Sequence, residues 1–210
     1  WFSQVLKRAE LSAEEKGQAR MGWLIIIGSI PIVVLGYFGR DIITNDLRSL
    51  WLIATVMIVF GVILGIADKY GKSERTLEQL NTKHGLLYGA AQALALVPGV
   101  SRSGATIAMG RFLGYSRNAA LRYSFLLAIP AVFGSGLYQL KDAFSADAAP
   151  NVFSIPETFA ATAVAFGVGY VVISWILKFV STKSFMPFII YRVVLGSALL
   201  VLLATGVVSG

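Results

Sequence analysis

The sequence predicts an all-α polytopic membrane protein: about five helices that cross the bilayer and one helical hairpin that enters and leaves on the same side. Three observations predict it. Of the 210 residues, 56% are hydrophobic and only 14% are charged, where a soluble domain carries about a quarter charged residues. Mean hydropathy is +0.72, and several apolar runs approach or exceed the ~20 residues that cross a bilayer. Between two apolar segments, each too short to cross, lies the polar, helix-breaking stretch "LVPGVSRSGAT" at 96–106. The whole chain, 1–210, reads as one integral membrane domain with no separate soluble part.

Each element follows from its residues. Residues 1–20 are polar and mixed in charge, and "LSAEEKGQAR" predicts a short surface helix with Ser12 as N-cap, three residues before Glu15. Residues 21–38 form a short first span in which Pro31 predicts a kink. A polar loop at 39–48 leads to a second span at 49–67, and 68–83 is again a polar loop. Residues 84–97 and 104–114 are apolar, and the loop at 98–103 breaks the helix between them. A single span over 84–114 would carry Pro98, Gly99 and Arg102 at its middle, so a re-entrant hairpin is expected, with its tip near the bilayer centre. Irregular backbone survives at that depth only where protein or a wet cavity satisfies it. Residues 118–140, kinked at Pro130, then 156–180 and 185–208 complete the spans.

Charge supports this path. With the N-terminus inside, the inside loops hold eleven Lys and Arg: Lys7, Arg8, Lys16, Arg20, Lys69, Lys72, Arg75, Lys83, Arg117, Lys178 and Lys183. The outside loops hold three: Arg40, Arg48 and Lys141. That asymmetry is the positive-inside pattern, and it weakens if 84–114 crosses once. The same placement accounts for the net charge of +7. No basic run is interleaved with aromatics, which excludes nucleic acid as a partner. The absence of cysteine excludes disulfides, thiolate metal sites and Cys nucleophiles. No cleavable signal peptide is visible.

The loop carries the chemistry. A charged residue at the bilayer centre costs about 2.5–3.5 kcal/mol on insertion scales, so Arg102 needs an anionic partner. Asp and Glu are absent from 79 to 141; the partner is a ligand or an acid from elsewhere in the fold. Gly99 and Gly104 let backbone approach a ligand closely. Ser103 is expected to cap the following helix, with Thr106 in its first turn, and that helix N-terminus offers unpaired N–H groups and a positive dipole end. Ser101, Ser103 and Thr106 add hydroxyls, and the Arg102 guanidinium matches phosphate oxygens bidentately. Together they form a phosphate cradle. Gln92, one to two turns earlier, is the only amide on the incoming helix and can face the same cavity. Plainer roles compete: a serine that only caps, glycines that only pack, an arginine on backbone carbonyls or a lipid headgroup. Arg192 is either a snorkelling arginine or a second cavity arginine. Arg111 and Arg122 are expected to snorkel, and His84, the only histidine, to sit at an interface.

Residues 98–106 match P-G-x-S-R-S-x-x-T at every fixed position. This resembles the second signature of the undecaprenyl-diphosphate phosphatase family, the bacitracin-resistance type. "RYSFLLAIPAVFG" at 122–134 and "PFIIYR" at 187–192 are similar to that family too. The resemblance implies hydrolysis of a polyprenyl diphosphate carrier lipid to its monophosphate, in the bacterial inner membrane, recycling the carrier for peptidoglycan and other envelope polymers. It implies inverted repeats with re-entrant hairpins: 21–67 as the remainder of a first repeat, and 84–208 as a second repeat with hairpin 84–114. It also implies a divalent cation, Mg²⁺ or Ca²⁺, for which these residues offer no metal ligands. Arg102, Ser101, Ser103 and Thr106 would then be catalytic; Gln92, Gly99 and Gly104 would bind substrate. The partners are the lipid substrate and the bilayer, with a homodimer left open. The sequence departs from the family in one respect. The first signature, an E/Q-x-x-x-E helix followed by a Ser-Ser-Thr-Gly-His loop, is absent. Only Gln92 echoes its first position, and Leu96 stands where a second acid falls. Nucleophile and general base are therefore expected before Trp1, and the 210 residues alone are expected to be inactive. The rival is a transporter or flippase of a phosphorylated lipid or organic anion, since broken helices with a midplane anion site are also transporter features.

Overall fold

The computed structural model describes residues 12–39, 47–143 and 154–209. Lys7, Arg8 and Arg40 of the charge count lie outside the described residues. Among the described residues the chain is helical, and five helices are long and apolar enough to cross a membrane.

Helix α1 (Ala13–Phe38) begins at a capping box: Ser12 Oγ accepts from Glu15 N at 3.2 Å, and Glu15 Oε2 accepts from Ser12 N at 2.8 Å. The expected surface helix and first span are one continuous helix. Polarity changes between Arg20 and Met21, but nothing there breaks the backbone, and Pro31 sits inside the same helix. Helix α2 (Leu50–Tyr70) stops at Gly71, whose N–H bonds Ala67 O at 2.8 Å. Asp68, Lys69 and Tyr70, expected in a loop, complete its last turn.

The hairpin is α3 (Thr82–Ala93), a 3₁₀ turn (Leu94–Leu96), a break, and α4 (Arg102–Phe112). Asn81 Oδ1 caps α3 by accepting from His84 N at 2.9 Å. At 1.5 Å per residue the arms are about 18 and 17 Å long, too short for a core of about 30 Å. A Cβ on Gly99 would come within 2.6 Å of Ile53 O, in the first turn of α2. The tip therefore meets α2 about 5 Å along a helix of about 31 Å, near its Leu50 end.

Helix α5 (Arg117–Ala143), α6 (Ile155–Thr182) and α7 (Met186–Ala204) follow. The chain forms two compact units, one of residues 1–131 with 184–210, the other of 132–183. In the first unit α1 packs on α3, α2 on α4 and α7, and α3 on α4. Glycine allows the α1–α3 contact: a Cβ on Gly89 would overlap the Gly28 carbonyl oxygen. Leu24, Leu80, Tyr88, Tyr115, Tyr123 and Leu127 form the core beside it, and Tyr123 donates to Leu24 O at 2.8 Å. In the second unit α6 starts at a Ser154–Glu157 capping box. Its apolar side chains, Phe159, Phe166 and Tyr170 among them, are exposed, as lipid-facing side chains are.

Arg111 does not snorkel. It is 2% exposed, and its guanidinium donates to the carbonyls of Gly71 (2.5 Å), Tyr115 (2.6 Å) and Lys72 (3.1 Å). These carbonyls include orphans at the end of α2, which a guanidinium can satisfy with several donors at once. Arg122 is exposed as expected.

Candidate anion site at the hairpin tip

The break between α3 and α4 is set by Pro98, Gly99 and Ser101. Gly99 has φ +94° and Ser101 φ +65°; Ser101 is the sole non-glycine with positive φ among the described residues. Such a conformation costs about 1–3 kcal/mol and persists only where surroundings impose it. It places Ser101, not Ser103, at the N-cap of α4. Ser101 Oγ accepts from Gly104 N at 3.2 Å, and Ser101 O accepts from Ala105 N at 3.0 Å. The sequence pointed to Ser103; a cap normally has an extended backbone, and Ser101 caps from a positive φ instead.

With the cap at Ser101, the open donors shift. The backbone N–H groups of Arg102 and Ser103 have no partner among the described residues, nor do the Ser103 hydroxyl and the Arg102 guanidinium. All belong to two consecutive, half-buried residues, Arg102 and Ser103, next to the equally half-buried cap Ser101. Thr106 does not join them. It is fully buried, and its hydroxyl donates to Arg102 O at 3.0 Å and Ser103 O at 3.2 Å. Its proton serves the turn, which leaves the expected phosphate contact to Ser101 and Ser103. Gly99 is required by its φ and by α2, and a Cβ on Gly104 would meet Ser101 Oγ at 3.2 Å. Gln92 is completely buried, and neither polar atom of its amide has a partner among the described residues.

Arg192 resolves as an arginine of the tip. Its Nη2 donates to Gly99 O at 2.6 Å, with Val100 O at 3.2 Å and Met57 O at 3.3 Å. The sequence held the residue but not the contact, because 93 residues separate Arg192 from Gly99. A divalent cation fits this loop poorly. Hard cations take carboxylate and carbonyl oxygens, the Gly99 carbonyl is taken, and among the described residues no three His, Asp or Glu gather.

In the first turn of α3, burial pushes the His84 imidazole below its ordinary value, and nearby Arg75 and Lys83 push the same way. Its Nδ1 lies 2.7 Å from the Tyr115 hydroxyl.

A helix N-terminus, two serines and an unpaired guanidinium, with no acid in the surrounding sequence, attract an anion. The fold defines an all-α polytopic membrane protein with five helices long and apolar enough to cross a bilayer, and these donors at the tip make it the candidate anion site. The family model described as "Bacitracin resistance protein BacA" matches residues 1–198, and the chain belongs to that family. It is 61% identical over 191 residues to the undecaprenyl-diphosphatase of Pseudarthrobacter chlorophenolicus, covering 91% of this chain and 69% of the relative. Paenarthrobacter aurescens has an undecaprenyl-diphosphatase 56% identical over 209 residues, covering 100% and 74%. Undecaprenyl-diphosphatase 2 of Agrobacterium fabrum is 54% identical over 209 residues, covering 100% and 73%.

Proposed function

We propose that this protein is an integral membrane phosphatase that hydrolyses undecaprenyl diphosphate to undecaprenyl phosphate and inorganic phosphate, in the bacterial inner membrane, and so recycles a carrier lipid of cell-wall synthesis. The observation that carries it is the run of unpaired donors at Ser101–Ser103 around Arg102. The names of the relatives supply the substrate.

In this reading the diphosphate lies against the N-terminus of α4. Arg102 clamps its oxygens; Ser101 and Ser103 donate to them. As the terminal phosphoryl group passes to water, a new P–O bond forms while the bond to the bridging oxygen breaks, and negative charge grows on the leaving monophosphate. Positioning and charge neutralisation are what such a transfer needs. Gln92 offers an amide to water or to a phosphate oxygen. No described residue is assigned as nucleophile or general base, and no step is routed through a divalent cation. The orientation drawn from loop charge puts the Leu50 end of α2 outside, so the tip lies nearer the outer face. A flippase needs the same anion site but releases no phosphate, and no observation favours it.

The test is phosphate release from undecaprenyl diphosphate in detergent, using the complete natural protein. Arg102→Ala should abolish release while the protein stays folded. Arg102→Lys should fail nearly as badly, because an ammonium cannot reproduce the bidentate fork. A lysine variant with near-normal turnover removes the clamp. No release by a folded, lipid-binding wild type removes the phosphatase.

A further inference from the structure

About 14 Å from the tip along α4, a second polar cluster sits outside the phosphate site. At its centre is Asp68, 5% exposed, in the last turn of α2. Its Oδ1 accepts from Arg117 Nε at 2.5 Å and lies 3.8 Å from Arg111 Nε; its Oδ2 accepts from the backbone N–H of Phe185 at 3.2 Å. Arg111 ends α4, Arg117 starts α5, and Phe185 is the N-cap of α7. One carboxylate thus ties four helices.

Two of those helices are the ones that hold the tip. Helix α4 runs from Arg102 to the Asp68 cluster without a break. Helix α7 runs from Phe185, on Asp68, to Arg192, on the Gly99 carbonyl. Helix α2 is the shared rail: Ile53 and Met57 meet the tip, and Asp68 lies about 22 Å further along it. A helix is stiff over such lengths, so fixing its base fixes its other end. We propose that Asp68 is a positioning residue for the hairpin tip, setting through Arg111 and Phe185 the register of α4 and α7 against α2, and with it the depth of the Ser101–Ser103 donors and of Arg192. The proposal rests on the phosphatase reading for its kinetic arm alone.

Asp68→Asn keeps the shape and removes the charge that holds Arg117 and Arg111. The reporter is Val100→Cys, because Val100 is 1% exposed at the tip and the 210 residues contain no other cysteine. In the complete natural protein carrying this reporter, Asp68→Asn should lower kcat for undecaprenyl diphosphate at least tenfold and leave KM within threefold. Maleimide should label residue 100 at least fivefold faster. A cluster that only stabilises the fold lowers Tm but leaves kcat and labelling of the folded protein unchanged; that result overturns the proposal, as does a rise in KM alone. If Asp68→Asn does not fold, Arg117→Gln replaces it, since that side chain is 37% exposed at the rim. It should lower kcat at least threefold and speed labelling; no change in both overturns the proposal. A wild type that releases no phosphate fails the phosphatase reading instead, and labelling still judges the latch.

Discussion

Arg192, two turns into α7, donates a 2.6 Å hydrogen bond to the carbonyl oxygen of Gly99 at the hairpin tip. The bond joins α7 to a loop whose other hydrogen bonds are local turns and a cap, such as Val100 N–H to Val97 O at 3.2 Å. It also satisfies a carbonyl in a segment with few other donors. Hydrogen bonds to a charged group contribute about 1.5–3 kcal/mol. Arg192→Ala should destabilise the protein by about that amount and lower phosphate release at least tenfold, read by thermal unfolding in detergent and by the phosphate assay. Arg192→Lys should recover part of the stability, since one ammonium reaches one carbonyl. An alanine variant equal to wild type in both assays rules out the brace.

Gly99→Ala should be worse tolerated than its size suggests. The residue has φ +94°, a region that costs an L-residue about 1–2 kcal/mol. The added Cβ would also meet the Ile53 backbone at 2.6 Å, which no rotamer change relieves. The expected result is a loss of about 2–4 kcal/mol, with the tip displaced from α2. Thermal unfolding of Gly99→Ala beside Gly104→Ala checks it. Gly104 meets only the Ser101 side chain, at 3.2 Å, and should lose less. Equal losses would show that the tip does not rest on α2.

The sequence made much of this legible, for physical reasons. Membrane spans announce themselves by length and apolarity, so all five were placed to within a few residues apart from the N-terminal extension of α1. The hairpin was legible because Pro98 and Gly99 break a run that is otherwise apolar. What the sequence hid was set by tertiary contact. Ser101 took the cap from Ser103 through a strained backbone that no local pattern signals. Thr106 looked like a free hydroxyl until its burial turned it onto backbone carbonyls. Asp68 looked like the first residue of a loop, and its partners lie 43 to 117 positions away.

His84 makes stability depend on pH. The Tyr115 hydroxyl donates to Gln79 O at 3.4 Å and lies 2.7 Å from His84 Nδ1, which holds the imidazole against the start of α3. The folded protein holds this histidine below its ordinary value of 6.5, whereas the unfolded chain does not. As pH falls through 6.5 the unfolded state takes up the proton first, and stability falls; the loss ends once pH passes the folded value. Thermal midpoints in detergent should therefore drop between pH 7.5 and 5.5, with a shallower drop in His84→Gln. Parallel profiles for the two proteins would remove His84 as the source.

Gln92 allows stability and function to be separated in one residue. Its amide is completely buried, with neither polar atom paired among the described residues. An unsatisfied buried polar group costs about 1–3 kcal/mol, so the folded protein carries a penalty that an apolar side chain of similar volume would lift. Gln92→Leu should raise the thermal midpoint by several degrees. If the amide is kept for the substrate, as the proposed function holds, the same variant should lower phosphate release at least tenfold. A core residue with no task would show the first effect without the second: a more stable protein with full activity. A less stable Gln92→Leu would mean that the amide has partners in the membrane-embedded protein. Raised stability with lost activity is the combination expected of a residue retained for chemistry at a cost in stability, and thermal unfolding beside the phosphate assay, on one preparation, reads both.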